Sequence, residues 1–259
     1  MLFRSLDGAL VVTTTSVTNS ANGLGNLYIG STLAGTSYFF PGYITNVRIV
    51  KGTALYTPTL YPSGFTPSTT PLTTVANTSL LLNSSSSLRK IIDNSPNYFT
   101  ITNTPSTTYS PATPFYSAPS GSIYFSSSTG QNLQATNDAA FTMGSGNWTI
   151  ECWVYPTAAP SNWATLVSLG STTVAGSEIR LQYGLSTYGT LGILYPNSTN
   201  NGDIYTNNSG YALPLNVWSH VAAIRSGTTI CLFVNGVVKQ NLTITSFNQT
   251  TTEIGRAHV

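Results

Sequence analysis

Residues 216–244 read NVWSHVAAIRSGTTICLFVNGVVKQNLTI, with Ser226-Gly227 and Asn235-Gly236 each set between runs rich in Val, Ile and Phe. Asn-Gly between apolar runs constrains a chain strongly, because a type I′ turn needs positive φ at both central residues. The stretch therefore predicts three consecutive antiparallel strands, at 218–224, 229–234 and 237–242. Elsewhere no helical period is sustained, and short apolar runs recur between clusters of Gly, Asn, Ser and Pro. Such spacing points to an all-β protein built as an antiparallel β-sandwich or jelly roll.

A chain of 259 residues holds one large sandwich or about two smaller domains. Its apolar content of 41% suffices for a core, but only 6% of residues are charged. A typical soluble protein carries ~25%, so Ser, Thr, Asn and Tyr must make this surface. Such a surface either stays soluble without ion pairs or meets neutral partners such as glycans and neighbouring proteins of a larger particle. The net charge of +2 is scattered singly apart from Arg89-Lys90, which leaves no footprint for nucleic acid. No apolar run reaches the ~18 residues of a membrane span, and the start lacks the features of a signal peptide. Cys152 and Cys231 fall in expected strands; a cross-strand disulfide is open, and two buried free thiols are the reading adopted.

The sequence repeats itself. Residues 3–30 follow the same order as 232–255: an apolar lead-in, Asp or Asn before Gly, a Thr-rich strand, a polar loop, then Ile-Gly. Residues 1–57 thus read as the closing strands of one unit, 58–71 as a Pro/Thr-rich connector, and 72–255 as a second unit without its closing strand. Met1 falls inside a strand-like stretch, so the gene is expected to be incomplete. Residues 253–259 (EIGRAHV) back-translate to a common sequencing adaptor, so 256–259 are expected to be non-native.

Four stretches carry a family resemblance. They are Trp218, His220, Val221 and Ala222 followed by Val234-Asn235-Gly236-Val237; NWTIECWVY at 147–155; the run Gly42, Tyr43, Ile44, Val47, Arg48, Ile49, Lys51, Gly52, Ala54 and Tyr56; and the opening Leu80–Leu82, Asp93, Ser95, Pro114 and Phe115. Together they resemble the laminin-G-like, or concanavalin A-like, jelly-roll repeats found in phage tail and virion structural proteins. The resemblance implies a concanavalin A-like sandwich in a virion or extracellular setting. Its partners would be a host-surface glycan or receptor and neighbouring virion proteins. It also implies a structural role for His220.

Catalysis finds little support. Glycoside hydrolysis needs two carboxylates facing each other ~5–9.5 Å apart, and the glucanases of this fold place theirs in an E-x-D-x-x-E run. The seven acids, Asp7, Asp93, Asp138, Asp203, Glu151, Glu178 and Glu253, form no such run. Glu151 reads as a structural hydrogen-bonding group, and Arg48 as an anchor for a loop carbonyl or carboxylate. A non-catalytic protein is expected.

Two loops are candidates for ligand binding, one around Asn162-Trp163 and one spanning 195–211. The candidate residues are Trp163, Tyr195, Asn201, Asp203, Tyr205 and Asn207, because rings stack on sugars and amides or carboxylates pair with hydroxyls. Ordinary polar loop residues are the plain alternative. Calcium has room there but no support, since Asp203 is the single carboxylate and hard cations take several oxygens; no cofactor is expected. The first functional expectation is a carbohydrate- or receptor-binding repeat, the second a structural spacer or decoration domain, the third a glucanase-type hydrolase.

The repeat carries one structural expectation. Tyr43–Val50 has the sequence of a closing strand, and the second unit wants one, so 43–50 is expected to join that unit's sheet beside Ser79–Leu82 or Ser122–Phe125. One of the two equivalent copies, 1–30 or 232–255, is then left redundant.

Overall fold

The computed structural model describes residues 2–6, 9–14, 26–32, 38–85, 90–104, 107–116, 120–160, 163–170, 178–184, 190–196, 201–205, 213–244 and 247. Its strands are β1 (Leu2–Leu6), β2 (Ala9–Thr14), β3 (Leu27–Ile29), β4 (Pro41–Lys51), β5 (Thr78–Ser85), β6 (Lys90–Asp93), β7 (Thr102–Asn103), β8 (Thr108–Ser110) and β9 (Ser122–Ser126). They continue with β10 (Leu133–Ala135), β11 (Trp148–Pro156), β12 (Ala164–Leu169), β13 (Ile179–Tyr183), β14 (Leu191–Pro196), β15 (Asn201–Tyr205), β16 (Ser219–Ser226), β17 (Thr229–Val234) and β18 (Val237–Thr243). Every pairing is antiparallel. Among the described residues no helix is long and apolar enough to cross a membrane.

A seven-stranded sheet of order β15-β14-β13-β12-β3-β10-β7 faces a nine-stranded one of order β18-β17-β16-β11-β4-β5-β6, with β9 also on β4 and β8 on β9. Alternation explains which side chains lie between them. Trp148, Ile150, Cys152 and Val154 of β11 join Val221 and Ala223 of β16 and Ile230, Leu232 and Val234 of β17 in the shared core. Leu166, Leu169, Ile179, Leu181, Leu191 and Ile193 meet them from the other sheet. The turn signals work as the sequence requires: Asn235 (φ 49°) and Gly236 (φ 77°) close β17–β18, and Gly227 (φ 58°) closes β16–β17. Cys152 points into this core, whereas Cys231 lies in a smaller apolar cluster on the outer face with Ala222, Ile224 and Phe233. Both are free thiols, as opposite faces demand.

The N-terminal segment enters both sheets, and not at an edge. Along one side β4 pairs with β11, as in Ile49↔Ile150 and Tyr43↔Tyr155. Along the other it pairs first with β9 (Tyr43↔Tyr124) and then with β5 (Ile49↔Leu80). Residues 43–50 therefore adjoin both expected neighbours at once, from the middle of the sheet. In the opposite sheet β3 sits between β10 and β12. The equivalent hairpins differ in fate: β17–β18 belongs to the large sheet, while β1–β2 forms a two-stranded sheet of its own.

Residues 52–77 run back over the outer face of the large sheet as a strap. Tyr56 and Phe65 pack on Phe233 and its neighbours, and the Phe65 N–H donates to the Gly236 carbonyl at 2.8 Å. Further along, the Leu72 N–H donates to Asn46 Oδ1 at 2.7 Å.

Candidate functional site

Outward-facing positions on neighbouring strands hold aromatic rings where β4, β9, β11 and β16 converge. Tyr43 is the direct cross-strand partner of Tyr124 on one side and of Tyr155 on the other. Trp218 immediately precedes β16, whose Ser219 is opposite Val154. Ring centroids stand 4.8 Å apart for Tyr124 and Tyr43, 5.6 Å for Tyr43 and Tyr155, and 5.5 Å for Tyr155 and Trp218. The three tyrosines thus form a row across β9, β4 and β11, and Trp218 folds back over it, 6.4 Å from Tyr43 as well as 5.5 Å from Tyr155. All four are half-buried.

The row opens into a cleft of about 310 Å³ lined by Tyr43, Ala112, Tyr155, Thr157 and Asn216. The Tyr43 and Tyr155 rings meet at 81°, so the cleft has a corner of two aromatic walls. Backbone bonds fix its rim: the Asn216 N–H donates to the Pro156 carbonyl at 2.8 Å, and the Thr157 N–H to the Pro41 carbonyl at 3.0 Å. Gly42 (φ 147°) lets β4 approach this closely, because a Cβ there would collide with the Tyr155 carbonyl oxygen. Among the described residues no charged side chain lines the cleft.

A second polar group lies beneath the strap. The Glu151 carboxylate is wholly buried and accepts at Oε1 from Arg48 Nε at 2.8 Å and Arg48 Nη2 at 2.6 Å. At Oε2 it meets His220 Nε2 at 2.9 Å and accepts from the Tyr56 hydroxyl at 3.2 Å. Arg48 Nη1 reaches on to the Thr73 carbonyl at 2.8 Å, and Phe65 and Trp153 pack edge-on against the His220 ring. Burial alone would raise the carboxyl's pKa, but His220 and then Arg48 more than offset it, and the group sits below its usual range. Burial and the neighbouring Glu151 charge push the Tyr56 hydroxyl up. Arg48 thus anchors both a carbonyl and a carboxylate, and Glu151 and His220 tie strands to strap. Glu178, the other acid of interest, lies on the opposite sheet beside Ser168 and Arg180. The two carboxylates thus stand against opposite sheets.

The loop expected at 195–211 is in good part a hairpin. Leu191, Ile193 and Tyr195 alternate into the core, with Tyr195 9% exposed, and carry β14 to Pro196. Asn201, Asp203 and Tyr205 then fall on the edge strand β15, with Leu194↔Asp203 and Gly192↔Tyr205 in register. Turn-type composition suggests a loop here, but over 201–203 cross-strand pairing makes a strand instead. The side chains of 201–205, and Asn207 altogether, lie outside the described residues. Trp163 is half-buried just before β12, and its indole fills the space that a Cβ on Gly192 would take. Only Trp163 and Tyr195 can therefore be placed, and they belong to the other sheet from the aromatic row. Among the described residues no three His, Cys, Asp or Glu side chains gather to hold a metal ion.

Over residues 126–257 the sequence matches the laminin-G-type description of the concanavalin A-like lectin/glucanases superfamily. The chain belongs to that superfamily. Its matched span covers β10–β18, and β3, β4, β5 and β9 complete the same two sheets from outside it or at its margin. No curated protein matches the superfamily member described here. Among solved structures, it is similar to the crystal structure of a mutant of HCR D/C VPI 5995, with a TM-score of 0.45 and 14% identity. That likeness covers 67% of this chain and 42% of the other, so the chain spans well under half the solved structure's length.

Proposed function

We propose that this superfamily member is a non-catalytic carbohydrate-binding repeat of a phage tail or virion surface protein, acting outside the cell on host-surface glycans. The observation that carries this reading is the Tyr124–Tyr43–Tyr155 row, with Trp218 packed against Tyr43 and Tyr155, opening into a cleft. Half-exposed rings present apolar faces to the C–H faces of sugars, and the flanking Asn216 and Thr157 offer hydrogen-bonding groups. The charge-poor surface suits neutral partners and neighbouring particle proteins. Binding of the full chain to a glycan array and to intact cells tests the reading. Signal is expected for the wild type, with Tyr43→Ala and Tyr155→Ala each losing about 10-fold, equivalent to ~1.4 kcal/mol. If no glycan and no cell is bound, the reading falls and a structural spacer takes its place.

A further inference from the structure

The cleft's chemistry narrows the ligand class, on the premise that the aromatic row is a carbohydrate site. We infer that the ligand is an uncharged oligosaccharide lying across the strands, with one ring in the Tyr43–Tyr155 corner and the next extending over Tyr124.

Three observations carry this. First, charge: the lining groups are tyrosines, Thr157, Asn216 and Ala112. The described charged residues of the strands that build the site lie elsewhere. Arg48 and Glu151 are buried under the strap, and Lys51 and Arg225 stand beside Trp148, at the opposite end of β11 from Tyr155. An acidic sugar entering the cleft would lose hydration with no cation to receive it. Second, shape: walls at 81° clasp one ring by a face and an edge, where coplanar rings would make a flat platform. A volume of about 310 Å³ lies at the small end of ligand sites. Third, continuity: Tyr124 is tilted 41° from Tyr43, while Trp218 contacts both Tyr43 and Tyr155 and so walls the corner. Tyr124 thus extends the apolar surface beyond the corner on the β9 side. The line from Tyr155 through Tyr43 to Tyr124 runs across the strands, which sets the direction of a bound glycan chain.

Calorimetric titration of the full chain with neutral mono-, di- and trisaccharides, and with sialylated counterparts, tests the inference. Neutral affinity is expected to rise with each added ring and to change less than about twofold between ~0.05 and ~0.5 M salt. Tyr124→Ala should remove the gain from added rings while leaving monosaccharide affinity within about twofold. Tyr155→Ala should weaken every ligand by about 10-fold, and Tyr155→Phe, which keeps the ring, should retain most binding and control for folding. Preference for sialylated ligands, a steep salt dependence, or affinity that ignores chain length overturns the inference. If such acidic binding is still lost in Tyr155→Ala, the carbohydrate-binding reading stands and only the ligand class is wrong. If no saccharide of either class binds, both fall together.

Discussion

Glu151 is the side chain on which most of the outer face depends. Its two oxygens meet Arg48 from β4, His220 from β16 and Tyr56 from the strap, so one carboxylate joins strands from distant parts of the sequence. Removing one member leaves the others buried without their countercharge, which costs about 3–5 kcal/mol. Glu151→Gln is expected to lower the unfolding free energy by that order at neutral pH, measured by urea denaturation. The pH dependence has a definite sign. A carboxyl held below its unfolded value of 4.5 contributes its stability above that pH and loses it as pH falls through the folded value. Wild type should therefore weaken steadily below about pH 5, and Glu151→Gln should show a shallower acid limb. An unchanged acid limb in the variant would assign the slope to other groups. The sequence made Arg48 an anchor and Glu151 a hydrogen-bonding group, as their contacts show, and the family resemblance implied a structural His220. Neither could bring them together, because 48, 151 and 220 lie on three strands whose adjacency is set only by register. Tyr56 escaped notice as a partner for the same reason: it sits beyond the end of β4, in the strap.

At the scale of the element, the β17–β18 hairpin shows how much a turn can decide. Asn-Gly with positive φ was legible at once, and so were the strands around it. The strap's dependence on that turn was not. Gly236 lies against the Phe65 backbone, and a Cβ would land on the Phe65 carbonyl oxygen. Gly236→Ala should thus strain the turn and lift the strap, at a cost of about 2–3 kcal/mol. A thermal melt measures it, and a change below ~0.5 kcal/mol would mean the strap is not clamped there. The aromatic row hid from sequence reasoning in a similar way. Tyr43, Tyr124 and Tyr155 each occupy an unremarkable outward position on a strand. Only the pairing of β9, β4 and β11 lines them up, and loop composition drew attention to 195–211 instead.

For the molecule as a whole, the decisive feature is that β4 and β3 are interior strands. Remove residues 26–51 and the large sheet parts between β11 and β5/β9, while the small sheet parts between β12 and β10. Two cut edges in each sheet would expose unpaired backbone groups and the core beneath them. A chain starting at Leu72 is expected not to give a cooperative unfolding transition, and a peptide of residues 26–57 supplied in trans should restore it. A cooperative melt of the shortened chain by itself would show that β4 is dispensable. The repeat did point to this segment as a closing strand, but it suggested an edge. Pairing on both sides of one strand leaves no mark in that strand's own sequence beyond its nearly continuous burial. The same placement sets an order of events during synthesis. β4 leaves the ribosome about a hundred residues ahead of β11, as the separation of Arg48 from Glu151 (103 residues) records. Until β11 emerges, an apolar strand waits with one flank bare, and the loop that must then close is long. The fold belongs with the slow, non-local topologies, and its most exposed moment is the one before its middle is filled.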